Sequence, residues 1–116
     1  MAERLTEVTD ADLDAIEIGA AILGTGGGGN PYIGKLRCRE ELRKGRRIPV
    51  IPLADLADDA LVVSLGGMGA PVVGVEKIEQ GEECLRALRA IERETGRKAD
   101  ALISAEIGGA NAVGPM

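Results

Sequence analysis

The chain has 116 residues and a formal net charge of −5, from 14 basic and 19 acidic side chains. This length suits one domain, predicted over residues 1–116. The negative charge argues against a general nucleic-acid binder, because such domains are basic. The sequence has neither an apolar run of about 18 residues nor the apolar segment of a signal peptide. We therefore expect a cytoplasmic protein that engages neither membranes nor nucleic acids.

Histidine is absent, so a Ser-His-Asp or Cys-His site cannot be completed within this chain. Cys38 and Cys84 fall in predicted helices and are interpreted as reduced, half-buried thiols, with a disulfide or a nucleophile as the less favoured alternatives. Tyr32 is the single aromatic residue, so the predicted core is thin. A thin core favours extensive contact with another domain or a second chain, and we expect a homo-oligomer.

The first predicted helix begins at Thr9, which serves as N-cap with Asp12 completing a capping box. It ends at Gly24. One face of this helix repeats apolar residues at helical spacing: Leu13, Ile16, Ala20 and Leu23.

A run of four glycines, Gly26 to Gly29, follows this helix. Glycine is costly to order, so such a run indicates positive φ angles or a backbone that approaches something closely. Asn30 and Pro31 then read as the N-cap and first position of a second helix. Backbone N–H groups of such a glycine run, close to the start of a helix, can bind an anion or a polarised carbonyl. The predicted ligand-contacting residues are Thr25, Gly26, Gly27, Gly28, Gly29 and Asn30.

Two other interpretations of the glycine run stay open. It lacks the Gly-Lys-Ser/Thr half of a Walker loop, but it contains a weak Gly-x-Gly-x-x-Gly match at Gly24, Gly26 and Gly29. That match follows a helix, whereas the dinucleotide fingerprint follows a strand. The glycines also suit a plain scaffold with tight turns and no ligand.

The second helix is predicted from about Pro31 to Lys44 and closes at Gly45. It is rich in basic residues, and two interpretations of them stay open. They form either a solvated face paired with Glu40 and Glu41 or a positive field that attracts an acidic ligand. In the second case Lys35 or Arg37 would attract a substrate carboxylate.

The remainder of the chain alternates predicted strands and helices. Residues 48–53 are predicted to form an edge strand or an extended link, and residues 60–65 a strand buried on both faces. Residues 72–75 are predicted to be extended. A helix closed by a glycine is predicted over 80–95, and a further strand over 101–104. The segment 108–116 is predicted as a glycine-rich loop. The fold class is therefore α/β, with a parallel-sheet βαβ core and an N-terminal helical pair joined by a glycine-rich loop.

Both buried strands run into Gly-Gly turns, and ligands bind at that edge of parallel sheets. Glu106 and Glu76 lie near these turns and are the predicted catalytic carboxylates, since partial desolvation suits acid–base work. The alternative for Glu106 is a structural carboxylate that accepts backbone N–H bonds. Asn111 either orients a substrate amide or caps a turn.

Taken in order, several motifs resemble the N-terminal domain of the S-methyl thiohydantoin desulfurase family. They are Leu23 to Pro31, Gly69-Ala70-Pro71, Glu76-Lys77, and Glu106 to Ala112 with Pro115. The resemblance covers about Thr9 to Met116. It implies the front part of a larger two-domain protein that removes a sulfur substituent from a hydantoin-like ring by hydrolysis, so the missing C-terminal domain or a second chain is an expected partner.

The leading hypothesis is part of a hydrolase acting on such a small-molecule ring, with amides of Gly26 to Gly29 as an oxyanion hole and Glu106 as general base. Glu76 or a metal would assist, and Asn111 would hold a ring N–H or carbonyl. The pattern identifies neither a cofactor nor a metal. The alternative is a non-catalytic subunit that binds a nucleotide or acidic metabolite through its glycine-rich loop.

Overall fold

The computed structural model of the protein describes residues 4–116. Its helices and short strands alternate along the chain as a mixed α/β fold. In chain order the elements are β1 (Glu7–Val8), α1 (Leu13–Gly24), α2 (Tyr32–Arg43), β2 (Ile48–Pro49), β3 (Val62–Ser64), α3 (Pro71–Glu76), α4 (Glu83–Thr95), β4 (Ala101–Ile103) and α5 (Gly109–Val113).

The predicted capping residues lie at or close to the ends of the two N-terminal helices, although α1 begins only at Leu13 and α2 at Tyr32. Before α1, the backbone N–H of Thr9 donates to Asp12 Oδ2 at 2.8 Å, and a 3₁₀ turn leads into the helix. Helix α1 ends at Gly24, but the left-handed residue that stops it is Thr25, with φ of 48°. Gly45, with φ of 85°, ends α2 as predicted.

Ion pairs join α1 to α2. The Lys35 ammonium contacts Asp14 at 3.1 Å and also Glu17, while Arg39 reaches Asp10 at 2.5 Å and Asp14 at 3.1 Å. Hydrogen bonds from Lys35 and then Arg39 lower the pKa of Asp14 from its ordinary value. Carboxylates of α1 and of the preceding 3₁₀ turn therefore pair with Lys35 and Arg39. The predicted partners Glu40 and Glu41 pair instead with Lys44 and Arg46, after the end of α2.

Replacing Asp14 with asparagine is expected to lower stability slightly at neutral pH. Because the folded-state pKa of Asp14 is lowered, its ion pairs stabilise the fold above the ordinary aspartate pKa of about 3.9 and are lost as pH falls through the lowered value. The difference in urea midpoint from the wild type should therefore be present at about pH 7 and vanish near pH 2. The exposed Asp58→Asn variant is the control. A difference that persists unchanged in acid would contradict this assignment.

Residues 4–116 contain two small sheets. Strand β1 pairs antiparallel with β2, and β3 pairs parallel with β4 in the register Val62↔Ala101 and Ser64↔Ile103. The parallel pair confirms the central part of the predicted βαβ unit. The strand β1 was not predicted, because two residues are too few to show a period of two.

Three sequence predictions are wrong. Residues 72–75 belong to helix α3, whose first residue Pro71 has the fixed φ that starts a helix well. The C-terminal segment contains helix α5 and is not simply a glycine-rich loop. The strand predicted as buried on both faces alternates instead, with Val63 buried and its neighbours Val62 and Ser64 exposed.

The core is small, as the composition suggests. One buried cluster joins Val8, Leu13 and Cys38, and many large apolar side chains in the described part of the chain stay exposed. On α4, Leu85 and Ile91 of the predicted apolar face are 46% and 45% exposed. Both cysteines are free thiols, and burial raises the pKa of Cys38.

Within residues 4–116, none of the helices combines the length and the apolar character that crossing a membrane requires.

Candidate functional site

The carboxyl ends of the parallel strands are held together by one amide side chain. Asn111, on α5, accepts a hydrogen bond at Oδ1 from the backbone N–H of Gly67 at 2.7 Å. Its Nδ2 donates to the carbonyl of Gly67 and to Glu106 Oε1, both at 2.9 Å. Gly67 follows β3 and Glu106 follows β4, so Asn111 connects the segments after both strands.

A tight turn after β4 sets the backbone of Glu106. The Ser104 hydroxyl donates to the carbonyl of Glu106 at 2.8 Å and accepts from its N–H at 3.0 Å. Glu106 Oε1 is bound by Asn111, while Oε2 faces Gly28, where an added Cβ would lie 2.5 Å from that oxygen. Glu106 is exposed, so the partial burial expected for it is not observed in the described chain.

The connection between α1 and α2 contacts α5 through its carbonyl groups. The carbonyls of Gly28 and Gly29 accept from the N–H groups of Asn111 at 3.2 Å and Ala110 at 3.0 Å. They thereby satisfy N–H groups in the first turn of α5 that have no partner within the helix. The N–H of Gly27 donates to the carbonyl of Gly24 at 2.8 Å, so it is already engaged.

Glycines on both sides of this contact let the two backbones approach closely. A Cβ on Gly108 would overlap the backbone nitrogen of Gly24, and a Cβ on Gly109 would lie 2.5 Å from the carbonyl carbon of Gly28. Gly109 also has φ of 70°, which side chains rarely adopt. The close approach that the glycine run predicted is therefore present, and its partner is the protein's own chain at residues 108–109.

A cleft of about 410 Å³ opens beside this contact. This volume lies in the range of about 300–1,000 Å³ that is typical of small-molecule sites. The cleft is lined by Leu23, Gly24, Gly27, Gly28, Glu106, Ile107 and Gly108. Four of these seven residues are glycines, so the walls are largely main chain, and Leu23, Glu106 and Ile107 supply the side chains.

The structure brings several of the predicted site residues together. Gly27 and Gly28 line the cleft with Glu106, Gly29 bonds to α5 next to them, and Asn111 bonds to Glu106. Their distances are consistent with a common site, and their roles in binding or catalysis stay predictions.

Other predicted residues lie outside this group. Thr25 stops α1, and an added Cβ on Gly26 would meet open space. The side chain of Asn30 accepts from the N–H of Tyr32 at 2.9 Å, the capping bond expected of it. Glu76 ends α3, is exposed, and is not among the residues that line the cleft.

The basic residues proposed to attract a carboxylate also lie elsewhere. Lys35 is paired with Asp14 and Glu17, and Arg37 is paired with Glu79 at 3.0 Å. Neither lines the cleft. In residues 4–116 no cluster of three metal-ligating side chains is found.

Sequence reasoning missed three contributors to the site. Leu23 had been assigned to the apolar core face of α1, but it is 50% exposed at the cleft, and Ile107 is 76% exposed there. The third contributor is Ser104, which the sequence places only at the end of the predicted strand 101–104. Its position two residues before Glu106 is the spacing of a serine turn, and that signal was sufficient to predict its hydrogen bond.

Two alanine variants separate the effect of backbone strain in the glycine run from the effect of a contact with Glu106. Gly26 and Gly28 both have positive φ, of 89° and 74°. Gly26→Ala is expected to cost about 1–2 kcal/mol from backbone strain alone. In Gly28→Ala the new methyl also displaces Glu106 Oε2 and lies 3.0 Å from the carbonyl oxygen of Gly108, so turnover or ligand affinity should fall further than in Gly26→Ala. Melting curves and ligand titrations of both variants provide the measurement, and equal ligand binding in the two would contradict the placement of Glu106.

A family model described as the S-Me-THD-like N-terminal domain matches residues 11–116. No curated protein and no solved structure matches the chain. The matched range includes α1, the connection to α2, the parallel strand pair and α5, and therefore every residue of the cleft.

Proposed function

The chain belongs to the S-Me-THD-like N-terminal domain family, and from this premise we propose that it forms part of a hydrolase acting on an S-methyl thiohydantoin or related hydantoin-like ring. An N-terminal domain belongs within a larger protein, so the complete site is expected to include residues beyond this domain. The proposal concerns the contribution of the cleft between α1 and the segment after β4.

One observation carries this proposal. A carboxylate oxygen, Glu106 Oε2, faces a wall of glycine backbone at the edge where the parallel strands end, while the other oxygen is held by Asn111. A general base needs an oriented oxygen with room for water beside it. The cleft provides that room beside Glu106 and Gly28.

In the proposed reaction Glu106 accepts a proton from water as the water oxygen bonds to the ring carbon that carries sulfur. The C=N bond electrons move onto the ring nitrogen, which takes up the proton held by Glu106. Glu106 then accepts the remaining proton of the added hydroxyl as the C=O bond forms and the C–S bond breaks, and it passes this proton to the departing sulfur, so that methanethiol leaves as the thiol. The products are the hydantoin carbonyl and methanethiol, so one water is consumed for each thiol released.

Main-chain groups of the connection between α1 and α2 are proposed to stabilise charge that develops on the ring. Of the four glycines in the run, Gly27 already donates its N–H within the loop. The N–H groups of Gly26, Gly28 and Gly29 have no acceptor among the described residues. Gly28 lines the cleft, so its N–H is the donor that we assign to the developing charge.

The test is hydrolysis by the natural gene product that carries this domain. Incubation with an S-methyl thiohydantoin should release methanethiol and form the corresponding hydantoin in a ratio of one to one. A thiol reagent follows the first product and chromatography follows the second. Release of methanethiol no faster than in buffer, for rings with and without a substituent, would reject the proposed activity.

A further inference from the structure

Three side chains set the chemistry of the cleft. Leu23 from the end of α1 and Ile107 from the turn after β4 supply apolar surface, and both are half or more exposed to solvent. Glu106, between them and the glycine backbone, supplies a carboxylate. An occupant therefore meets apolar surface and a carboxylate at the same site.

No cationic side chain of residues 4–116 lines the cleft to compensate the charge of Glu106. None of the seven lining residues is lysine or arginine, within the part of the chain that the structure describes. Lys35 and Arg39 of α2 do not line the cleft and are engaged by other carboxylates: Lys35 by Asp14 and Glu17, and Arg39 by Asp10 and Asp14. An anionic group entering the cleft would thus be repelled by Glu106, and none of the described lining side chains carries a positive charge to offset that repulsion.

We infer that the cleft selects uncharged rings with an apolar substituent and rejects rings with an acidic one, with Leu23 and Ile107 as the specificity-determining residues. The inference rests on the proposed function, because it concerns the ligand of the same site. The substituent packs on Leu23 and Ile107, which leaves Glu106 Oε2 to the attacking water. The charge of Glu106 disfavours nucleotides and acidic metabolites for the same reason.

The experiment uses the natural gene product and four S-methyl thiohydantoins that differ at one ring substituent. These are an unsubstituted ring, an isobutyl ring, a carbamoylmethyl ring and a carboxymethyl ring. The last two have nearly the same shape and differ in charge. The expected kcat/KM is highest for isobutyl and roughly tenfold or more lower for carboxymethyl than for carbamoylmethyl. This second ratio should shrink toward one at about 1 M salt, where exposed charges are screened.

A charge introduced at the cleft tests the residue assignment. Ile107→Lys should raise kcat/KM for the carboxymethyl ring and lower it for the isobutyl ring. Ile107 is 76% exposed, so the change is expected to leave folding intact. The matched control is Leu53→Lys, which adds the same charge at a position 85% exposed outside the residues lining the cleft. That control should keep the wild-type order of substrates.

The outcomes separate the inference from the function on which it rests. Turnover of the carboxymethyl ring equal to or faster than that of the carbamoylmethyl ring overturns the inference while the hydrolase stands. Unchanged ratios in Ile107→Lys overturn the role of Ile107. If no ring is turned over and ATP or an acidic metabolite raises the melting temperature instead, both the inference and the proposed function are rejected.

Discussion

Replacing Glu106 with glutamine is expected to lower turnover of an S-methyl thiohydantoin by roughly a hundredfold or more, with folding intact. Glutamine keeps an oxygen that can accept the 2.9 Å hydrogen bond from Asn111, so the connection to α5 is preserved. It loses the charge and the basicity that activation of water requires. Steady-state kinetics of the natural gene product measure the loss, and a melting curve checks the fold.

The matched control for this variant is Glu94→Gln on α4. It removes the same charge from an exposed position outside the cleft, and its turnover should equal that of the wild type. Near-normal turnover in Glu106→Gln would remove the general base from the proposal.

The same assay on Glu76→Gln tests the second predicted carboxylate, which the structure does not place at the cleft.

Replacing Gly108 with alanine is expected to destabilise the protein by about 3 kcal/mol or more. Its φ of −147° is ordinary extended backbone, so the cost comes from overlap. The added methyl would occupy the same space as the backbone nitrogen of Gly24 and the carbonyl carbon of Leu23. These are main-chain atoms of a helix end, which cannot move aside by a rotamer change, so α1 and the segment after β4 must separate.

The control for the Gly108 variant is Gly27→Ala in the connection between α1 and α2. An added Cβ at Gly27 would meet only the carbonyl oxygen of Gly24, at 3.6 Å, which is ordinary contact. Urea unfolding of both variants is the measurement, with Gly27→Ala expected within about 1 kcal/mol of the wild type. A Gly108→Ala protein as stable as Gly27→Ala would show that the close backbone approach is not required.

The sequence predicted those parts of the fold that local rules determine. The capping box at Thr9 and the left-handed glycines Gly45 and Gly96 mark helix ends, and each acts within a single turn. The parallel pairing of β3 and β4 followed from a strand, helix, strand pattern. Helix α3 was missed because its run of valines favours an extended chain, and the proline that begins it was given too little weight.

The site was only partly predictable, because its contacts join distant segments. The glycine run indicated a close approach but could not identify the partner, which lies about eighty residues later at Gly108 and Gly109. The bonds from Asn111 to Gly67 and Glu106 depend on the meeting of α5 with both strand ends, and no periodicity encodes that meeting. Leu23 was predicted to be a core residue because its spacing matches the apolar face of α1.

The largely side-chain-free walls of the cleft have a consequence for how relatives of this protein can diverge. A side chain at Gly108 would overlap main-chain atoms of Gly24 and Leu23, so we expect relatives to keep glycine there and, with it, this part of the cavity shape. Within this domain, new substrate preferences are then expected to arise at the two apolar side chains, Leu23 and Ile107, that border the same cavity. Family members that act on different substrates should differ first at these two positions, while keeping the same glycines.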